Sequence, residues 1–131
     1  MSSVLINGFS SKTGGGKVIL DNFFENLPSK TNTNFYVVVP QNFQCKTSQC
    51  TLIRPPRILY STFFSIFYYL IFIPYILHKY KIKHVLNLGD LVIPFHRNQT
   101  YFFDWAYLVL KDNSIWKKMS IKDWLLRKFK I

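Results

Sequence analysis

The chain has 131 residues, which is enough for one domain with a buried core and excludes a multi-domain machine. Its formal net charge is +11, from 17 Lys and Arg against 6 Asp and Glu, so nucleic acid, anionic lipid and phosphorylated ligands are all compatible partners. Hydrophobic residues make up 49% of the chain and aromatic residues 18%. This composition excludes a disordered chain and indicates that some surface faces lipid or another domain.

The first forty residues predict a strand, a glycine-rich loop, a helix and a second strand. Residues 4–9 are an apolar run that ends in turn-forming residues. Between residues 19 and 27 the apolar side chains recur at helical spacing, and Pro28 follows them. The apolar "FYVVVP" of residues 35–40 predicts another buried strand, so the segment is a βαβ unit.

Further strands are predicted at residues 51–56, 84–90 and 100–110. Strands that alternate with helices predict an α/β fold of one domain, with a Rossmann-like, doubly wound parallel sheet. Ser120 and Asp123 form a capping-box pattern, which predicts a helix that runs to Ile131 without a stop signal. We therefore expect the chain to end inside a helix.

Residues 58–77 carry no charge and, as one α-helix, would span about 30 Å, the thickness of a bilayer core. Pro74 interrupts the run, and basic residues flank both of its ends. These features favour a core or membrane-surface helix over a true span. The alternative is a small basic membrane-anchored protein with one span at 58–77 and no catalysis. A polar stripe predicts that one face of the helix is wet; it consists of Ser61, Ser65, Tyr68, Tyr75 and Lys79.

The loop "KTGGGK" after the first strand fits neither of two standard phosphate-binding patterns. A P-loop requires glycine where this chain has Ser11, and Ser or Thr where it has Val18. A dinucleotide fingerprint requires glycine at the position of Ile19. The sequence therefore excludes standard ATPase and dehydrogenase loops, although not a phosphate.

The glycines of this loop, Gly14, Gly15 and Gly16, lack side chains, so a ligand can approach their backbone closely. A helix that starts near Lys17 would direct free amides and a positive dipole end to the same place. Lys12 and Lys17 would add charge. These features favour an anion site, with a flexible turn as the alternative.

Polar residues at the predicted ends of strands four and five are the remaining site candidates. Asp104 interrupts an apolar strand, where a buried unpaired carboxylate is costly, so it should face a cleft or cap a turn. Asn87 and Asp90 lie at the matching end of strand four. The sequence has no zinc-ligand spacing, nucleophile elbow or paired-carboxylate pattern.

Residues 111–130 carry 7 of the 17 positive charges, interleaved with Trp116 and Trp124. This pattern is compatible with a helix on anionic lipid, with a nucleic-acid surface, or with a solvated basic face. The neighbouring apolar helix favours an anionic membrane surface over nucleic acid.

Taken together, three segments resemble the N-terminal domain of family 4 glycosyltransferases of the GT-B fold. They are "VLINGFSSKTGGGKVILDNFFENL" (4–27), "HVLNLGDLVIPFHRNQTYFFDWAYLV" (84–109) and "SIWKKMSIKDWLLRKFKI" (114–131). The resemblance covers nearly the whole chain. It implies a hexosyltransferase-type enzyme of surface polysaccharide synthesis, which transfers sugar from a nucleotide-sugar donor to a saccharide or lipid-linked acceptor, with no cofactor or metal.

The resemblance also implies roles for the candidate residues. The glycine loop, with Lys12 and Lys17, would approach the donor diphosphate and the reacting sugar. Asp104 would be the catalytic candidate, at a strand end where the family often has histidine. The acceptor-side candidates are Asn87, Gly89 and Asp90.

The family's second, nucleotide-binding domain has no counterpart in these 131 residues. We therefore expect a half-enzyme that is weak or inactive alone unless a separate chain supplies the donor domain. Its expected place is the cytoplasm, peripheral at the inner face of the membrane.

Overall fold

A computed structural model describes residues 2–28, 31–44, 49–88 and 91–102. Within them, five strands form one all-parallel sheet in the order β3-β2-β1-β4-β5, which confirms the predicted α/β class with a parallel sheet. The order reverses between β1 and β4, the position where ligand crevices form in open parallel sheets. The strands are β1 (Ser2–Asn7), β2 (Thr33–Val38), β3 (Cys50–Ile53), β4 (His84–Asn87) and β5 (Gln99–Tyr101).

Helix α1 (Gly14–Glu25) connects β1 to β2 and packs on one face of the sheet. Its central contact is Leu20, which is fully buried in a cluster with Ile6 of β1 and Val37 of β2. The sequence predicted that this helix starts near Lys17. In the structure it begins three residues earlier, at Gly14. Gly14 makes the earlier start possible, because it enters the first turn with a φ of +67° that side chains rarely adopt.

Residues 57–79, hereafter the crossover segment, connect β3 to β4 in the chain. They pack on the face of the sheet opposite α1. They comprise a 3₁₀ helix (Arg57–Tyr60), α2 (Ser65–Phe67), a π-helix (Tyr68–Phe72) and α3 (Ile73–Lys79). The segment buries Tyr68, Ile73 and Ile76 in one core cluster with side chains of the sheet. The sheet side chains of that cluster include Leu5, Val38 and Val85.

The crossover segment is not the single regular helix that its apolar run suggested. Pro74 has no N–H to donate to the carbonyl four residues before it, and the Ile73 amide donates to the Tyr68 carbonyl, five residues back. The predicted wet stripe is wrong at Tyr68, whose side chain is fully buried because its hydroxyl donates to Asn7 inside the core. Among the described residues, no helix is long and apolar enough to cross a membrane.

Candidate functional site

The turn from β1 into α1 lies at the carboxyl edge of the sheet and depends on a glycine at its first residue. The Gly8 amide donates to the Val38 carbonyl at 3.0 Å. A Cβ on Gly8 would lie 2.9 Å from that carbonyl oxygen and 3.1 Å from a methyl carbon of Leu20. The lack of a side chain therefore lets β1, β2 and α1 meet closely at this edge.

The N-terminus of α1 carries no negative side chain. Thr13 occupies the N-cap position without a side-chain capping hydrogen bond, and the first turn holds no acidic residue. Lys17 is the first cation of the helix, and its Nζ lies 2.5 Å from Asp21 Oδ2 one turn later. The helix dipole and the uncapped amides thus favour an anion in front of the turn.

A cavity of about 510 Å³, hereafter the basic cavity, opens beside this turn at the carboxyl ends of β1, β2 and β3. Its described lining includes three cations, Lys12, Lys17 and Arg57, and no acidic residue. Gln41 and Asn42 add amide groups to the wall. The arrangement combines concentrated positive charge with uncharged hydrogen-bonding groups, which suits an anionic ligand.

Tyr60 forms the wall of the basic cavity on the side of the crossover segment. Its hydroxyl donates to the Val39 carbonyl at 3.1 Å, and its ring stacks on Phe9 with 4.6 Å between centroids. Burial raises the pKa of Tyr60 to about 12, and the charge of Arg54 opposes part of that rise. The phenol is therefore neutral near pH 7, and the Lys12 Nζ lies 4.5 Å from the centre of its ring.

The opposite wall is tied to the end of β3. Arg54 donates to the Phe43 carbonyl at 3.1 Å, and the side chain of Gln41 donates to the Pro55 carbonyl. Phe43 also donates its amide to the Pro40 carbonyl at 3.0 Å. These hydrogen bonds hold residues 40–43 in place, so this side of the cavity is ordered before a ligand binds.

Ser11 lies in the loop between β1 and α1 and lines the basic cavity. Its side chain is 2% exposed, and its Oγ has no hydrogen-bond partner among the described residues. A Cβ on Gly16 would come within 3.2 Å of that Oγ, so the loop packs closely against the first turn of α1.

A buried polar network occupies the switch point between β1 and β4. Asn7 and Asn87 are fully buried partners in register, and Asn7 Nδ2 donates to Asn87 Oδ1 at 2.9 Å. The Tyr68 hydroxyl donates to Asn7 Oδ1 at 2.5 Å, and Asn87 Nδ2 donates to the Leu91 carbonyl at 2.6 Å. Asn87 thus holds β4 against β1, and its acceptor-side role stays a prediction.

No protein-family model, curated protein or solved structure matches this chain.

The structure brings together only part of the predicted site. Lys12 and Lys17 line the basic cavity, whereas Gly14 begins α1 and does not line it. Within the described residues, no group of three or more His, Cys, Asp or Glu side chains is placed to hold a metal ion. The predicted positions outside the described residues are Gly89, Asp90, Asp104, the basic tail at 111–130 and the final helix from Ser120.

Sequence reasoning missed Arg57, Tyr60 and Ser11 as members of the cavity. The sequence did indicate the place of Arg57. The double proline before it marks the end of β3, and in a parallel sheet that end lies at the same edge as the glycine loop after β1. Tyr60 gave no such signal, since its place depends on the fold of the crossover segment.

Proposed function

We propose that this chain is the Rossmann-like, acceptor-side domain of a GT-B glycosyltransferase. It would act in the transfer of a hexose from a nucleotide sugar to a saccharide or lipid-linked acceptor. The observation that carries the proposal is the glycine-rich turn that opens α1 at the carboxyl edge of an all-parallel sheet, beside the reversal of strand order. Ligands of such sheets bind at this edge, and this N-terminus has no acidic residue in its first turn.

In this function the turn stabilises charge on the leaving diphosphate. Gly14, Gly15 and Gly16 let the donor approach the backbone, and the helix amides donate to phosphate oxygens. Lys12 and Lys17 add positive charge, which compensates the leaving group without a metal ion. The nucleoside of the donor would be held by a second domain outside these 131 residues.

A membrane position is part of the same proposal, because the crossover segment exposes an apolar face. We define the apolar face as the exposed side chains Phe63, Phe64, Phe67, Ile71 and Tyr75. Four of its members, all except Phe63, line a groove of about 420 Å³ that contains only apolar and aromatic residues. Exposed aromatic side chains beside cations are typical of proteins that lie on anionic lipid.

The donor interaction can be tested with the ¹⁵N-labelled chain and a panel of nucleotide hexoses. We expect saturable shifts of the amide signals of Gly14, Gly15 and Gly16, and no response to the free hexoses. Gly15→Val should abolish the response, because its side chain blocks the backbone approach. Val18→Ala alters an exposed side chain on the same helix and is the matched control. The absence of a saturable response to every nucleotide sugar would contradict the proposal.

A further inference from the structure

The basic cavity concentrates positive charge that the described chain does not neutralise. No acidic residue occurs in the sequence between Glu25 and Asp90, so β2, β3 and the crossover segment contribute cations alone. Lys17 is paired with Asp21, whereas Lys12 and Arg57 form no ion pair with any described residue. Like charges that face one cavity repel each other, and a bound anion relieves that repulsion.

The Lys12 side chain and the backbone of Arg57 both lie against ordered parts of the fold. Lys12 lies over the Tyr60 ring, and that ring is fixed by its hydrogen bond to Val39 and its stack on Phe9. Arg57 begins the 3₁₀ helix directly after the double proline. A site whose parts are already ordered loses less conformational entropy when a ligand binds.

The charged lining of the cavity suits a phosphate group. Phosphate oxygens accept charge-assisted hydrogen bonds, and their arrangement fits the planar donor group of Arg57. Lys12 adds a second cation with three N–H donors to the same lining.

We propose that the basic cavity binds the phosphate or diphosphate group of a ligand. Arg57 and Lys12 are its direct cationic ligands. The cavity volume lies within the range of small-molecule sites and leaves room for more than a phosphate. A nucleoside diphosphate and a lipid diphosphate both carry this chemistry. Only the choice between them rests on the proposed function.

The binding test is calorimetric titration of the 131-residue chain with inorganic pyrophosphate at low ionic strength. Arg57→Gln and Lys12→Gln should each weaken binding by about tenfold or more, because each removes a charge-assisted hydrogen bond. Lys83→Gln removes the same charge from an exposed side chain outside the cavity and should change affinity by less than about twofold. Circular dichroism checks that each variant is folded.

The absence of saturable pyrophosphate binding to the unaltered chain would overturn the proposal. So would equal weakening in all three variants, because that result shows only a response to net charge. Competition then identifies the source: displacement by UDP supports a nucleotide ligand, and displacement by farnesyl diphosphate supports a lipid ligand. Displacement by neither would overturn the assignment to a phosphate-bearing substrate.

The two proposals fail separately. If the unaltered chain shows nucleotide-sugar shifts at Gly14, Gly15 and Gly16 but no saturable binding of pyrophosphate, that result would overturn the cavity proposal alone. Arg57-dependent pyrophosphate binding without any nucleotide-sugar response would overturn the glycosyltransferase proposal alone.

Discussion

Tyr68 places a phenol in the middle of the core on the crossover side of the sheet. Its ring stacks on Phe9 with 3.7 Å between centroids, and its hydroxyl donates to Asn7 Oδ1 at 2.5 Å. Burial raises the pKa of Tyr68 well above its ordinary value, so the phenol remains a neutral donor near pH 7. One side chain therefore joins the crossover segment to the polar pair at the switch point.

Tyr68→Phe keeps the stacked ring and removes the donor to Asn7. We expect the free energy of unfolding to fall by about 1–3 kcal/mol, because a buried acceptor loses a hydrogen-bond partner. Urea unfolding at pH 7 measures the change. Tyr75→Phe removes a hydroxyl from an exposed ring and should cost less than about 0.5 kcal/mol. Equal costs for the two variants would show that the hydroxyl of Tyr68 contributes nothing specific.

Tyr68→Phe should also change how the free energy of unfolding depends on pH above pH 10. The unfolded phenol loses its proton near pH 10, whereas the folded pKa of Tyr68 is higher, so the unfolded state binds fewer protons above pH 10. The contribution of Tyr68 is therefore fully present below pH 10 and is lost as the pH rises toward the folded pKa. Tyr68→Phe should show a shallower fall in unfolding free energy above pH 10 than the unaltered chain.

Single residues were harder to predict than the elements that carry them. Asn87 was correctly placed at the end of a strand, but its bond to Asn7 joins positions 80 residues apart, which no local pattern reveals. Tyr68 was assigned to a wet stripe because tyrosine is polar at its tip, although that tip found a partner inside. Burial of a polar side chain depends on its partner, and the partner is set by the fold.

At the scale of elements, the turn between β1 and α1 contains two glycines that are required for different reasons. At Gly8 an added Cβ would meet the backbone oxygen of Val38 at 2.9 Å, and a backbone atom in the sheet cannot easily give way. At Gly14 there is open space within 4 Å, but φ is +67°. The first glycine allows close packing, and the second allows a left-handed backbone.

Alanine substitutions separate these two causes. Gly14→Ala should lower the free energy of unfolding by about 1–2 kcal/mol through backbone strain alone. Gly8→Ala should cost more, about 2–3 kcal/mol, because overpacking also disturbs the contacts with β2 and Leu20. Val18→Ala, at an exposed position of α1, is the neutral control. Thermal and urea unfolding check the order, and a larger cost for Gly14→Ala would refute the close-packing argument.

Chain-order patterns predicted most of the described elements. Apolar runs located the first four strands to within a few residues, because buried parallel strands are continuous hydrophobic segments. β5 spans Gln99–Tyr101 and begins one residue before the predicted strand at 100–110, most of which lies outside the described residues. The crossover segment was predicted less well, since periodicity does not reveal where a helix changes its hydrogen-bond spacing around a residue such as Pro74.

For the whole molecule, basic residues precede and follow the exposed apolar face along the chain. Arg57 precedes the apolar face in sequence, and Lys79, Lys81 and Lys83 follow it. Phe63 is 85% exposed and Ile71 is 61% exposed. Clusters of exposed apolar side chains mark interaction surfaces, and the flanking cations make anionic lipid the partner that fits this one.

Vesicle binding tests this arrangement directly. The chain should sediment with vesicles that contain phosphatidylglycerol and bind phosphatidylcholine vesicles more weakly, since the cations attract anionic head groups. Replacing Phe63, Phe67 and Ile71 with Ser should lower the partition coefficient by about tenfold or more, because three apolar side chains no longer enter the lipid. Phe95→Ser removes a ring that is 96% exposed outside the apolar face and should have little effect. Equal losses in the triple variant and in Phe95→Ser would mean that general hydrophobicity, and not this face, holds the chain on lipid.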